Sequence, residues 1–150
     1  SKKTEEIDKG KFYGTYYGQL GLKLPADKLN ILTNDVLKNC TTYNYENQKI
    51  GKVYVELTSA DRYDIYLSGA TPLISVQNPN AKTDKELLLF RDSFASSITP
   101  LLTGYYKKIT LIDNRYISSK YLNNFIEFKN QDILFMYSTL IINESSTFKG

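Results

Sequence analysis

The sequence predicts an α+β fold, an antiparallel β-sheet with two helices packed on it, and three observations carry that prediction. Thirteen tyrosines in 150 residues favour pleated, half-buried surfaces where a ring packs and a hydroxyl reaches water. Short runs of alternating apolar residues are separated by turn residues such as Asp113-Asn114 and Asn130-Gln131-Asp132. Two other stretches, about 27–40 and 84–99, repeat their apolar residues at spacings of three and four, the period of a helix face.

Taken in order, residues 1–10 read as a flexible polar leader, because Ile7 is their one large apolar residue. Residues 11–150 read as a single domain with no linker-like stretch inside it. KFYGTYYGQLGLKLP, at 11–25, alternates as a strand through 12–18, sending Phe12 and Tyr16 inward and Tyr13 and Tyr17 outward. Asp27 then caps a helix whose face carries Leu29, Leu32, Val36 and Cys40. Residues 52–67 alternate on both sides of Ser59-Ala60-Asp61 and predict a hairpin, and PLISVQ is a further strand closed by Asn78-Pro79-Asn80.

Thr83-Asp84-Lys85-Glu86 has the form of a capping box, followed by the stripe Leu87, Phe90, Phe94, Ile98 and Leu101 that should lie on the sheet. Pro100 should bend or end this helix near 97–99. Tyr106–Ile112, Arg115–Ser118, Asn124–Phe128 and Ile133–Ile142 read as strands, and short connections make neighbouring strands antiparallel.

The chemistry available is narrow. The chain contains no histidine, so a Ser-His-Asp or Cys-His nucleophile system cannot be built from it, and the commonest metal ligand is missing. A single cysteine, Cys40, has no partner for a disulfide or a thiolate metal site and reads as a small buried hydrophobe. The phosphate-cradling and nucleophile-elbow motifs GxxxxGK[ST], GxGxxG and GxSxG do not occur. No cofactor or metal is expected.

Nor is nucleic acid. The net charge is +3, and sixteen of the nineteen cations are lysines spread along the chain, whereas reading phosphates and bases favours clustered arginine. No apolar run approaches the twenty residues that span a bilayer. The opening SKKTEEIDKGK lacks an initiating Met and resembles the tether that follows the lipidated cysteine of bacterial lipoproteins. That resemblance implies an N-terminal lipid anchor and an exported protein of the cell envelope, with a cytoplasmic address as the alternative.

These features predict a non-enzymatic binding or assembly module presenting a Tyr-rich surface to a protein or glycan partner. Its candidate binding residues are Tyr13 and Tyr17, on the outer face of the first strand, with Tyr43 and Tyr45 beside them. The alternative from another class is a small carboxylate-dependent, glycoside-cleaving enzyme built on Asp61, Asp64, Asp113 and Asp132. All four occupy turns, where Asp is also an ordinary structural residue. A cytosolic inhibitor or immunity-type protein differs from the first reading in its address.

Overall fold

The computed structural model describes residues 5–14, 23–56 and 61–149. Its strands are β1 (Glu5–Phe12), β2 (Asp27–Thr33), β3 (Thr41–Asn44), β4 (Lys49–Lys52), β5 (Leu73–Gln77), β6 (Glu86–Arg91), β7 (Lys108–Ile112) and β8 (Asp132–Met136). The α-helices are α1 (Asp35–Asn39), α2 (Ala95–Leu102) and α3 (Thr139–Asn143), and short 3-10 helices occupy 62–65, 119–124 and 145–147. β1 and β2 form an antiparallel pair, and the other strands form one sheet in the order β4-β3-β5-β7-β6-β8. The fold is α+β with a mostly antiparallel arrangement. The departures are β6 with β7 and β6 with β8, which run parallel because the connections 92–107 and 113–131 are long enough to cross back over the sheet.

The first predicted helix shrinks to its second half, and the second is displaced to Ala95–Leu102. Residues 27–33 form β2 because their apolar residues also satisfy a period of two: Leu29 and Ile31 are buried while Leu32 is exposed, and β1 supplies the partner strand. Only 35–39 is helical, with the Asn34 side chain accepting from the Leu37 N–H at 3.0 Å. Residues 5–10, read as a leader, are most of β1. The bulge between Asp8 and Lys11 turns on Gly10, at φ +88°, and the Arg62 guanidinium donates to the Lys9 carbonyl beneath it.

The second correction concerns ELLLFR. It is the buried strand β6, with Leu87 and Leu89 in the core on one face and Leu88 and Phe90 in the core on the other. Such an unbroken apolar run belongs to a strand covered on both faces. Thr83 accepts from the Lys85 N–H at 3.2 Å in a local turn and caps no helix. Helix α2 starts after Asp92-Ser93 and runs past Pro100 to Leu102. It buries the small residues Ala95, Ser96 and Thr99, and Phe94 is 53% exposed.

Of the predicted hairpin at 52–67, the described residues show a bridge between Tyr54 and Tyr66, flanked by Val55 N–H to Ile65 O and Leu67 N–H to Val53 O bonds, while Leu57 and the predicted turn at Ser59-Ala60 lie outside the described residues. Residues 115–118 are turn and 119–124 a 3-10 helix, whose Leu122 carbonyl accepts from the Ile126 N–H at 2.8 Å, so neither 115–118 nor 124–128 forms a strand. The last strand stops at Met136, because Ser138 opens α3. β1 ends at Phe12, which leaves Tyr13 and Gly14 outside it; the rest of the predicted first strand, with Tyr16 and Tyr17, lies outside the described residues.

Candidate functional site

The ladder registers bring five strand ends to one side of the sheet. Asn44 pairs with Ile74, Leu73 with Ile112, Ile112 with Phe90, and Phe90 with Phe135. The carboxyl ends of β3, β6, β7 and β8 therefore meet the start of β5 there. Outside the carboxyl ends of parallel strands is where open sheets place ligands.

Four charged residues close this side. Asp113, just beyond β7, is fully buried and held by Arg115 through two parallel bonds, Nε to Oδ1 at 2.9 Å and Nη2 to Oδ2 at 2.6 Å. Asp92, just beyond β6, is also buried. Its Oδ1 accepts from the Phe94 N–H at 3.0 Å and its Oδ2 from the Ser138 N–H at 2.6 Å, tying the β6–α2 turn to the segment after β8. Arg91 is buried too and donates to the Asp92 carbonyl, the Ser96 hydroxyl and the Thr71 carbonyl. Burial pushes its pKa down, against the opposing field of Asp113, while the hydrogen bonds that Arg115 donates to Asp113 push the pKa of Arg115 up. Tyr137, following β8, is raised to about 12, chiefly by burial and then by the negative charges of Asp113 and Asp92.

Ser93 stands half-buried in the turn between β6 and α2. Tyr63, from the 3-10 helix, reaches the same turn: its hydroxyl lies 2.9 Å from both the Phe94 carbonyl and the Ser97 hydroxyl.

Beside the charged cluster is an aromatic cleft of about 200 Å³, lined by Tyr45, Glu46, Pro72, Leu73, Tyr116, Ile117 and Phe125. Each ring is set by its backbone. Tyr45 continues β3 and donates its N–H to the Leu73 carbonyl, and Tyr116 is fixed by the turn in which its N–H bonds the Asp113 carbonyl. Tyr45 meets Phe125 edge-on, ring centroids 6.2 Å apart, and Tyr43 meets Tyr45 at 4.9 Å. The Arg115 guanidinium lies 5.3 Å from the Tyr116 ring centre and links the cleft to the buried ion pair.

Of the predicted binding residues, Tyr45 lines the cleft, and Tyr43 packs against Tyr45 without lining it. Tyr13, exposed beyond the end of β1, is not part of the lining, and Tyr17 is outside the described residues. The candidate carboxylates are dispersed. Asp61 caps the 3-10 helix through the Tyr63 N–H, Asp64 packs against Gly69, Asp113 holds Arg115, and Asp132 begins β8 at the far end, accepting from the Tyr106 hydroxyl. Tyr116, Phe125 and Pro72 escaped the sequence reading. Their signal was a turn, Asp113-Asn114, followed by rings at positions without a consistent period.

The sequence matches no protein-family model and no curated protein. Solved structures do resemble it. A DHHW family protein from Eubacterium siraeum matches with a TM-score of 0.69 at 21% identity over 93% of this chain and 48% of that one. Bacillus cereus PatB1 carrying a sulfonyl adduct matches at 0.62 and 20% identity over 98% of this chain and 49% of that one. The likeness is one of fold. The chain spans about half the length of these proteins. Among the described residues no helix is long and apolar enough to cross a membrane.

Proposed function

We propose that this protein is a non-enzymatic binding module, exported to a bacterial cell envelope, whose aromatic cleft takes one sugar ring of a glycan or one apolar side chain of a protein partner. One observation carries the reading: the carboxylates of Asp92 and Asp113 beside the cleft are committed internally, while the cleft is open. Both carboxylate oxygens of Asp92 accept backbone N–H groups and both of Asp113 accept from Arg115. A carboxylate so engaged is a scaffold, poorly placed to act as a general base. Rings with a carboxylate at the rim, here Glu46, suit an amphipathic ligand.

The exported address rests on the likeness of the opening sequence to a lipoprotein tether, a likeness that β1 leaves only to the residues before Glu5. A gene start encoding a signal that ends in Cys immediately before Ser1 would support it, and direct continuation into an initiating Met would remove it. Binding is tested by calorimetric titration with soluble oligosaccharides and with short peptides bearing Leu, Phe or Tyr. One of these should bind, and Tyr45→Ala should weaken it by about tenfold or more. Binding unchanged in Tyr45→Ala and Phe125→Ala would contradict the site.

A second reading has its own observation. PatB1 forms a sulfonyl adduct, and this chain places Ser93 in a strand-to-helix turn at the carboxyl end of β6. A serine nucleophile there would be labelled by a sulfonyl fluoride, and the label would vanish in Ser93→Ala. The binding-module reading expects no labelling of the folded protein.

A further inference from the structure

The two margins of the six-stranded sheet are built differently. β4, on one margin, reads KIGK, short and bracketed by lysines, and Ile50 is its one large apolar residue. β8, on the other, reads DILFM. Ile133, Leu134 and Phe135 are 57%, 36% and 66% exposed, and α3 adds Leu140 and Ile142 nearby in sequence, each 58% exposed. Among the described residues β8 pairs with β6 alone. An apolar edge strand without Lys or Pro is a template for another strand, and soluble proteins normally blunt such edges.

We propose that β8 is a self-association edge, on which a second copy of this chain pairs its own β8 antiparallel about a twofold axis through Leu134. Charge and register argue for a second copy in this orientation. The pairing sets Leu134 opposite its equivalent and Ile133 opposite Phe135, a β-branched residue against an aromatic on the same face. Asp132, the one charged residue of β8, then faces Met136, and the two copies of Asp132 stand at opposite ends of the ladder. Parallel pairing would place the like charges side by side. Phe135 already stacks on Phe90, centroids 4.8 Å apart at 19°, so its ring is held in place. A twofold contact closes on itself and gives a dimer, not a fibre. The small net charge of +3 opposes the approach only weakly.

Sedimentation of the 150-residue chain from low micromolar to near-millimolar concentration tests this. The mass should rise from 17.2 kDa towards twice that value. Ile133→Lys should raise the dissociation constant by about tenfold or more with an unchanged far-ultraviolet spectrum, and Leu101→Lys, on the exposed side of α2, should leave it unchanged. Leu134→Cys should give an intermolecular disulfide on oxidation where Ile50→Cys gives none. A monomer at every concentration would overturn the proposal, as would a dimer disrupted by Leu101→Lys and indifferent to Ile133→Lys. If Ile133→Lys fails to fold, the Leu134→Cys cross-link decides, and its absence counts against the edge.

Discussion

The two ends of the six-stranded sheet use the same residue types in opposite ways. At the amino ends of β6, β7 and β8, Lys107 pairs with Asp84 at 2.8 Å and Lys129 with Glu127 at 2.9 Å, and all four side chains are more than half exposed. At the carboxyl ends, Asp113 is fully buried beneath Arg115, with Arg91 and Asp92 buried beside it. Water screens the first set and each pair does little. The second set is largely cut off from water, so Asp113 depends on Arg115, Asp92 on the Phe94 and Ser138 N–H groups, and Arg91 on the Asp92 and Thr71 carbonyls and the Ser96 hydroxyl. The comparison teaches that charge content says little about where a protein invests its polar groups. Burial at the strand ends does, and that is also where the aromatic cleft lies.

The sharpest way to break the comparison is to remove one buried charge. Asp113→Ala leaves Arg115, and in part Arg91, without a counter-charge in a water-poor site and should destabilise the fold by about 3–5 kcal/mol in urea unfolding. A loss no larger than that of an exposed pair would erase the distinction between the two ends. Next in size is the core between them. Leu89→Ala should cost about 2–5 kcal/mol, because Leu89 is fully buried in β6, a strand covered on both faces. Phe94→Ala should cost less than about 1 kcal/mol, because half of that ring is already in water.

A third prediction concerns alkali. Tyr137 at the carboxyl ends, and Tyr54 at the β1–β2 side, are both raised to about 12, mainly by burial. Between pH 10 and 12 the unfolded chain loses these protons while the folded chain keeps them. Their contribution is therefore present below pH 10 and lost as pH rises to about 12. The double variant Tyr54→Phe, Tyr137→Phe should show a shallower fall in melting temperature over that window. The smallest effect belongs to the amino ends. Asp84→Ala should leave the melting temperature unchanged at moderate salt, and any residual difference should vanish at about 1 M salt, where the screening length is about 3 Å.

The parts legible in the sequence were those whose local pattern admitted one period. PLISVQ and the residues of β7 read as strands and are strands. The α+β class followed from the same alternation. What escaped was decided by neighbours distant in the chain. Residues 27–33 fit a helix face and a strand face equally, and β1 chose between them. In ELLLFR four consecutive apolar residues fit the helix stripe and a strand buried on both faces alike. Its phase as a strand was set by pairing with β7 and β8, and the polar Arg91-Asp92-Ser93 that ends it was the available sign of a strand meeting a turn. Tyr45 was legible as a candidate only as a ring that could join an aromatic site, since no strand is legible at 41–44. Tyr116 and Phe125 were not, because a buried aspartate and an irregular crossover carry them to the cleft.

The central claim is that the carboxyl ends of the sheet are its binding end. Backbone amide NMR of the protein during titration with the oligosaccharides and peptides named above tests it most directly. The account predicts shifts concentrated at Tyr45, Glu46, Leu73, Tyr116, Ile117 and Phe125. Shifts confined to Thr83–Glu86 and Lys129–Gln131, which line a polar depression at the amino ends, would contradict it.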